Sequence, residues 1–84
     1  MSTSVQAPVQ LSPEDVAELR KKLSTARHDV NNALSLIAAA AELIRLNPDM
    51  AGRMLPTLSE QSPKIAAALQ AFSNDLEKAL GVRR

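Results

Sequence analysis

The stretch from Val16 to Ile44, VAELRKKLSTARHDVNNALSLIAAAAELI, decides how this chain folds. Its apolar residues fall at Val16, Leu19, Leu23, Ala26, Val30, Ala33, Ile37, Ala40 and Ile44. The steps alternate three and four without a break. That is a heptad a/d stripe, the pattern of a helix packed on another helix. Beyond Ala33 the stripe broadens through Leu34, Ala38, Ala41 and Leu43. A wider apolar face implies more than one neighbouring helix, so a bundle fits better than a two-stranded coil.

Working outward, Ser12-Pro13-Glu14-Asp15 supplies the helix start. Ser12 can cap, Pro13 suits the first helical position, and Asp15 can complete a capping box. Met1 to Leu11 is polar and aperiodic, contains Pro8, and reads as a flexible leader over 1–11. A helix over 12–46 would be roughly 50 Å long. Asn47-Pro48-Asp49 is a turn signal, and a short connection sends the second helix back antiparallel to the first.

The second half carries its own stripe: Ala51, Leu55, Leu58, Ser62, Ile65, Leu69, Phe72, Leu76 and Ala79. Pro56 and Pro63 interrupt it chemically, since each removes a backbone donor and crowds the preceding turn. The helix either runs from 48 to 80 with bends or breaks and restarts at Ser62-Pro63. The unbroken stripe favours the continuous helix. Gly81 ends it, and 82–84 form a basic tail. The domain is thus a hairpin over 12–81. A lone hairpin would leave the outer flank of its apolar face wet. The expected architecture is therefore all-α, an antiparallel two-helix hairpin that dimerises into a four-helix bundle.

Composition supports this and excludes other classes. The 84 residues include one aromatic, Phe72, and no cysteine. Disulfides and thiolate metal sites are therefore absent, and oligomerisation is the remaining common staple for so small a chain. A net charge of +1 argues against an electrostatic nucleic-acid binder, and the missing aromatics remove a stacking platform for single strands. No apolar run reaches membrane-spanning length, and no signal-peptide pattern opens the chain. A cytoplasmic protein is the default, with neither nucleic acid nor membrane as partner.

The only histidine, His28, falls at heptad position f with Lys21, Ser35 and Glu42, farthest from the seam. It should be exposed, with Asn31 and Asn32 one turn beyond on the same face. An exposed imidazole is a competent nucleophile near neutral pH, and an amide one turn away can hold water or a phosphoryl oxygen. On spacing alone, the favoured reading of His28 is one polar residue on a wet face. One histidine and no cysteine give no transition-metal constellation.

His28-Asp29-Val30-Asn31-Asn32-Ala33-Leu34 resembles the H-box of the dimerisation and histidine-phosphotransfer domain (DHp, HisKA-like) of sensor histidine kinases. It looks most like the subgroup whose box reads His-Asp-x-Asn-Asn-x-Leu. The similarity extends through Ser35 to Ala38 and Ala41 to Ile44, and Ala67 to Ser73 looks like the end of that family's second helix. It covers about Leu19 to Leu80. The resemblance implies a dimeric four-helix bundle with His28 as phosphoacceptor. It implies that Asp29 assists as a general base and that Asn32 positions water for dephosphorylating a receiver. Asn31 matches a frequent family residue with no assigned chemistry. Neighbours on a helix do not face each other, so Asp29 needs a particular rotamer or a slight bend to reach the ring. Its other reading is a g-position charge flanking an interface, and that of Asn32 is an ordinary exposed amide.

Two departures from the family stand out. Many boxes carry proline where this chain has Ala33, which implies a straighter first helix here. The chain has two glycines and no room for an ATP-binding domain, so by itself it is not a kinase. A free-standing protein and an excised piece both fit, with the leader and the ending at Gly81 leaning to the former. The expected function is a histidine phosphotransfer protein of a bacterial two-component phosphorelay. It would pass phosphoryl between His28 and the aspartate of a response-regulator receiver domain. The expected partners are a second copy, that receiver and a histidine kinase; no cofactor is expected, and magnesium would belong to the receiver. Receiver docking should use the first helix around His28 and part of the second. Arg20, Lys21, Lys22 and Arg27 could form a basic steering rim, or simply a solvated face shared with Glu14, Asp15 and Glu18. The rival functions are a non-catalytic dimeric interaction module and a receiver phosphatase on the same bundle.

Overall fold

The structure is a computed structural model, and it describes residues 11–81. The leader read over 1–11, save Leu11, and the tail over 82–84 lie outside the described residues. Two α-helices, α1 (Pro13–Leu46) and α2 (Ala51–Leu80), are joined by a 3₁₀ turn at Pro48–Met50 and pack against each other antiparallel. Among the described residues there is no strand.

The start of α1 follows the sequence signal. The Asp15 amide donates to Ser12 Oγ at 3.0 Å, and the Ser12 amide donates to Asp15 Oδ2 at 3.0 Å. This reciprocal box satisfies two of the amides that a helix start leaves orphaned. At the other end Asn47 is extended, with φ −146° and ψ 92°, as the residue before a proline prefers. Its amide donates to the Leu43 carbonyl, and its Oδ1 accepts from the Asp49 amide at 3.2 Å. The expected start of the second helix at 48 is corrected here. Pro48–Met50 winds as a tighter 3₁₀ turn, and α geometry begins at Ala51.

Helix α2 runs through Pro56 and Pro63 without a break. Each proline leaves one carbonyl without its helical donor, at Gly52 and Ser59 respectively. Both of those residues are exposed, so water can serve the freed carbonyls. The helix ends at Gly81, whose φ of +76° is the left-handed geometry that glycine reaches without a Cβ penalty.

The seam is built from small residues. Among the described residues only Ala26, Ala33, Ala40 and Gln61 are buried. The three alanines are the d positions of the α1 stripe. On α2 the inward row is Met54, Gln61, Ala68 and Asp75, together with Leu58, Ile65, Phe72 and Ala79. The expected α2 stripe is therefore displaced by one residue at alternate positions. Leu55, Ser62 and Leu69 face solvent, with Leu55 58 % and Leu69 54 % exposed. Methyl-sized side chains on α1 let its backbone approach α2 closely, and the larger inward side chains all come from α2. Lys22 of α1 bridges this seam, standing 3.7 Å from both Glu18 and Asp75.

Candidate functional site

The pairing of Lys22 with Asp75 fixes the register, and at about 100° per residue it sorts the remaining side chains onto two flanks. One flank is apolar. Leu23, Val30, Leu69 and Phe72 line a groove there, with Arg27 and Asn31 at its edge. The opposite flank is polar. Its groove is bounded by Asp29, Asn32 and Leu36 on α1 and by Gln61, Lys64 and Ala67 on α2. It continues past Thr25 and Lys21 toward Asp75.

His28 projects outward from α1 beside the polar groove, with a side chain 74 % exposed. Its Nδ1 lies 3.5 Å from Oδ1 of Asp29. The two neighbours in sequence thus approach each other at the helix surface. The carboxylate also lines the polar groove, on the flank away from Leu23 and Leu69. Asn32 lines that groove one turn on from His28. Asn31 falls on the apolar side instead. The three residues singled out in the sequence, His28, Asp29 and Asn32, therefore share one flank.

A carboxylate beside Nδ1 favours the tautomer with the proton on that nitrogen, which leaves the lone pair on Nε2. The ring stands midway along α1 on its exposed surface. The basic rim is dispersed by helix geometry. Lys22 is drawn into the seam, Arg27 lines the apolar groove, and Lys21 remains on the His28 flank.

Searches with family models, among curated proteins and among solved structures found no match. The chemistry of this chain therefore stands on its own residues. Among the described residues no group of three histidine, cysteine, aspartate or glutamate side chains comes together. Among them, too, no helix is long and apolar enough to cross a membrane.

Two groove residues were not anticipated, Gln61 and Lys64 of α2. The apolar stripe passes through Ser62 and leaves Gln61 outside it. The signal that locates it is the seven-residue row Met54, Gln61, Ala68, Asp75. This row pairs with the small-residue row Ala26, Ala33, Ala40 rather than with the most hydrophobic positions.

Proposed function

We propose that this protein is a histidine phosphotransfer protein, exchanging a phosphoryl group between His28 and the aspartate of a receiver domain. The observation that carries the reading is the His28–Asp29 arrangement, an exposed imidazole with a carboxylate at Nδ1 and Nε2 free. The H-box resemblance of residues 28–34 points the same way.

In the forward step Nε2 of neutral His28 attacks the phosphorus of the receiver's acyl phosphate. The N–P bond forms as the P–O bond to the aspartate breaks, and the electron pair stays on the departing carboxylate. The proton remains on Nδ1, so the phosphorylated ring carries positive charge. Asp29 stabilises that charge without taking the proton. Reversal returns the phosphoryl group. Transfer of this kind asks little covalent work of the protein beyond positioning and charge stabilisation. Asn32, one turn away on the same flank, is placed to hold a phosphoryl oxygen or a water.

A second copy of the chain completes the fold in this proposal. Three alanines and a glutamine make too small a core for a hairpin to stand alone. Val16, Leu23 and Leu69 are exposed in the single chain. With Val30 and Phe72 they lie on or beside the apolar flank, where an antiparallel hairpin from a partner would bury them as a four-helix bundle. The polar flank with His28 stays outside, open to the receiver. The setting proposed is a cytoplasmic two-component relay, with a histidine kinase upstream and magnesium held by the receiver.

The test mixes the purified chain, wild type and His28→Ala, with phosphorylated receiver domains from the same genome. Acid-labile label on the wild type alone supports phosphotransfer. Receiver label lost as free phosphate, dependent on Asn32, would make the protein a receiver phosphatase. Binding with no change in either label would make it an interaction module.

A further inference from the structure

Gln61 carries an acceptor that the hairpin itself leaves unmet. The residue is 1 % exposed. Its Nε2 donates to the Thr57 carbonyl at 2.7 Å, while Oε1 is buried without a donor. A buried acceptor without a partner is costly, and an apolar residue of similar size would fill the seam without that cost. The side chain lines the polar groove, where a bound molecule can supply the donor.

The rest of the groove narrows the chemistry of that molecule. Lys64 lies one turn from Gln61 on the same face of α2, at a Cβ spacing of about 5–6 Å. Among the described residues Lys64 has no ion-pair partner. In the antiparallel register of the Lys22–Asp75 pair, Gln61 stands across from Leu36 and Ala68 across from Asp29. Asp29 is therefore about 10 Å along the groove from Gln61, two helical turns. Ala33, Ala67 and Ala68 line the interval, and their side chains stop at Cβ. A lone anion would be repelled by Asp29, and a lone cation by Lys64. A molecule that carries both charges, with an aliphatic stem between its ends, meets neither penalty.

We infer that the polar groove binds a free basic α-amino acid, of the arginine or lysine type. Its ammonium donates to Gln61 Oε1, and its carboxylate accepts from the Lys64 ammonium. A small rotation about the soft terminal torsion of Gln61 turns Oε1 into the groove. The methylene stem covers the alanine methyls as it runs toward α1. The cationic end reaches the Asp29 carboxylate, which takes a guanidinium through two parallel hydrogen bonds. Asp29 also stands beside Nδ1 of His28, so the bound cation competes with the imidazole for that carboxylate. The site is independent of whether His28 accepts a phosphoryl group.

The experiment titrates the full chain, as wild type, Gln61→Leu and Lys64→Ala, with L-arginine and L-lysine by calorimetry and heteronuclear NMR. Agmatine, which lacks the carboxylate, and citrulline, which lacks the cationic end, are the comparison probes. Wild type should bind arginine or lysine saturably, with shifts clustered at Asn32, Ala33, Lys64 and Ala68 and at the His28 ring. Each variant, and each comparison probe, should weaken binding about tenfold or more, the loss expected for one hydrogen bond to a charged group. Lys64 is exposed, so Lys64→Ala reads the site even where Gln61→Leu shifts the seam. No saturable binding of either amino acid to wild type would overturn the inference. So would wild-type affinity in either variant that keeps its helicity, or agmatine and citrulline binding as tightly as arginine.

Discussion

Nδ1 of His28 stands 3.5 Å from Oδ1 of Asp29, its neighbour in sequence. Successive side chains on a helix diverge by about 100°, so this approach is not one that helical spacing alone provides. Both side chains are largely exposed, at 74 % and 55 %. The pair therefore adds little to stability; in the proposed transfer its part is chemical, a carboxylate that favours the proton on Nδ1 and leaves Nε2 to react.

Asp29→Asn removes the charge and keeps the shape. The rate of transfer to His28 should fall by about 100-fold, the lower range for loss of an acid–base or charge-stabilising partner. Receiver affinity should hardly change. Single-turnover transfer kinetics alongside a binding isotherm separate the two effects, and an unchanged rate would remove Asp29 from the chemistry.

The apolar flank gives a second prediction. Leu23→Glu or Leu69→Glu places a charge among the residues proposed to pair two hairpins. Either change should halve the mass measured by light scattering and reduce the helical circular dichroism signal. A burial cost of about 1.5–3 kcal/mol per leucine side chain, lost from both subunits at once, is enough to shift the dimer strongly. If the mass stays the same in both variants, the flank is not the dimer interface.

Much of the fold is legible in the sequence because α1 combines every level of signal. Ser12, Pro13 and Asp15 mark its start, the stripe from Val16 to Ile44 marks its face, and Asn47-Pro48 marks its end. Helix α2 is harder. At Met54-Leu55, Gln61-Ser62 and Ala68-Leu69 either neighbour keeps the alternation of three and four. Hydrophobicity favours the leucines, whereas the hairpin turns the other member of each pair inward. The rotation of α2 against the row Ala26, Ala33 and Ala40 decides the matter, and that rotation is not encoded in the spacing. The same displacement hid Gln61, whose seven-residue row is not the most hydrophobic one available. His28, Asp29 and Asn32 were legible as residues, but the contact within the first pair depends on a rotamer that spacing does not encode.

Continuity of α2 through its prolines has an energetic consequence. Pro63 is exposed and lies inside the helix, where it leaves the Ser59 carbonyl without its helical donor. Pro63→Ala should stabilise the protein by up to about 3 kcal/mol, read as a higher urea midpoint. A lower midpoint would show that the proline ring contributes packing that outweighs the lost hydrogen bond.

Near the C-terminal end of α1, Arg45 donates to both carboxylate oxygens of Glu42. This hydrogen-bonded guanidinium lowers the Glu42 carboxyl below its ordinary value. A carboxyl that is lowered in the folded state contributes stability above its unfolded value, and loses it as pH falls through the folded value. Glu42→Gln should therefore cost a little helicity at neutral pH, and the difference from wild type should vanish in strong acid. Circular dichroism of the two proteins across the carboxylate range checks this. A difference that persists in acid would assign the effect to something other than the pair.

The central claim is that His28 is the phosphoacceptor, and the most direct measurement is ³¹P NMR of the protein after incubation with a phosphorylated receiver. The expected spectrum shows a phosphoramidate resonance from Nε2 of His28, erased by acid and absent from His28→Ala, while that variant keeps the wild-type mass and helicity. A wild-type protein that never acquires the resonance from any receiver, or a His28→Ala protein that acquires it equally, would contradict the account.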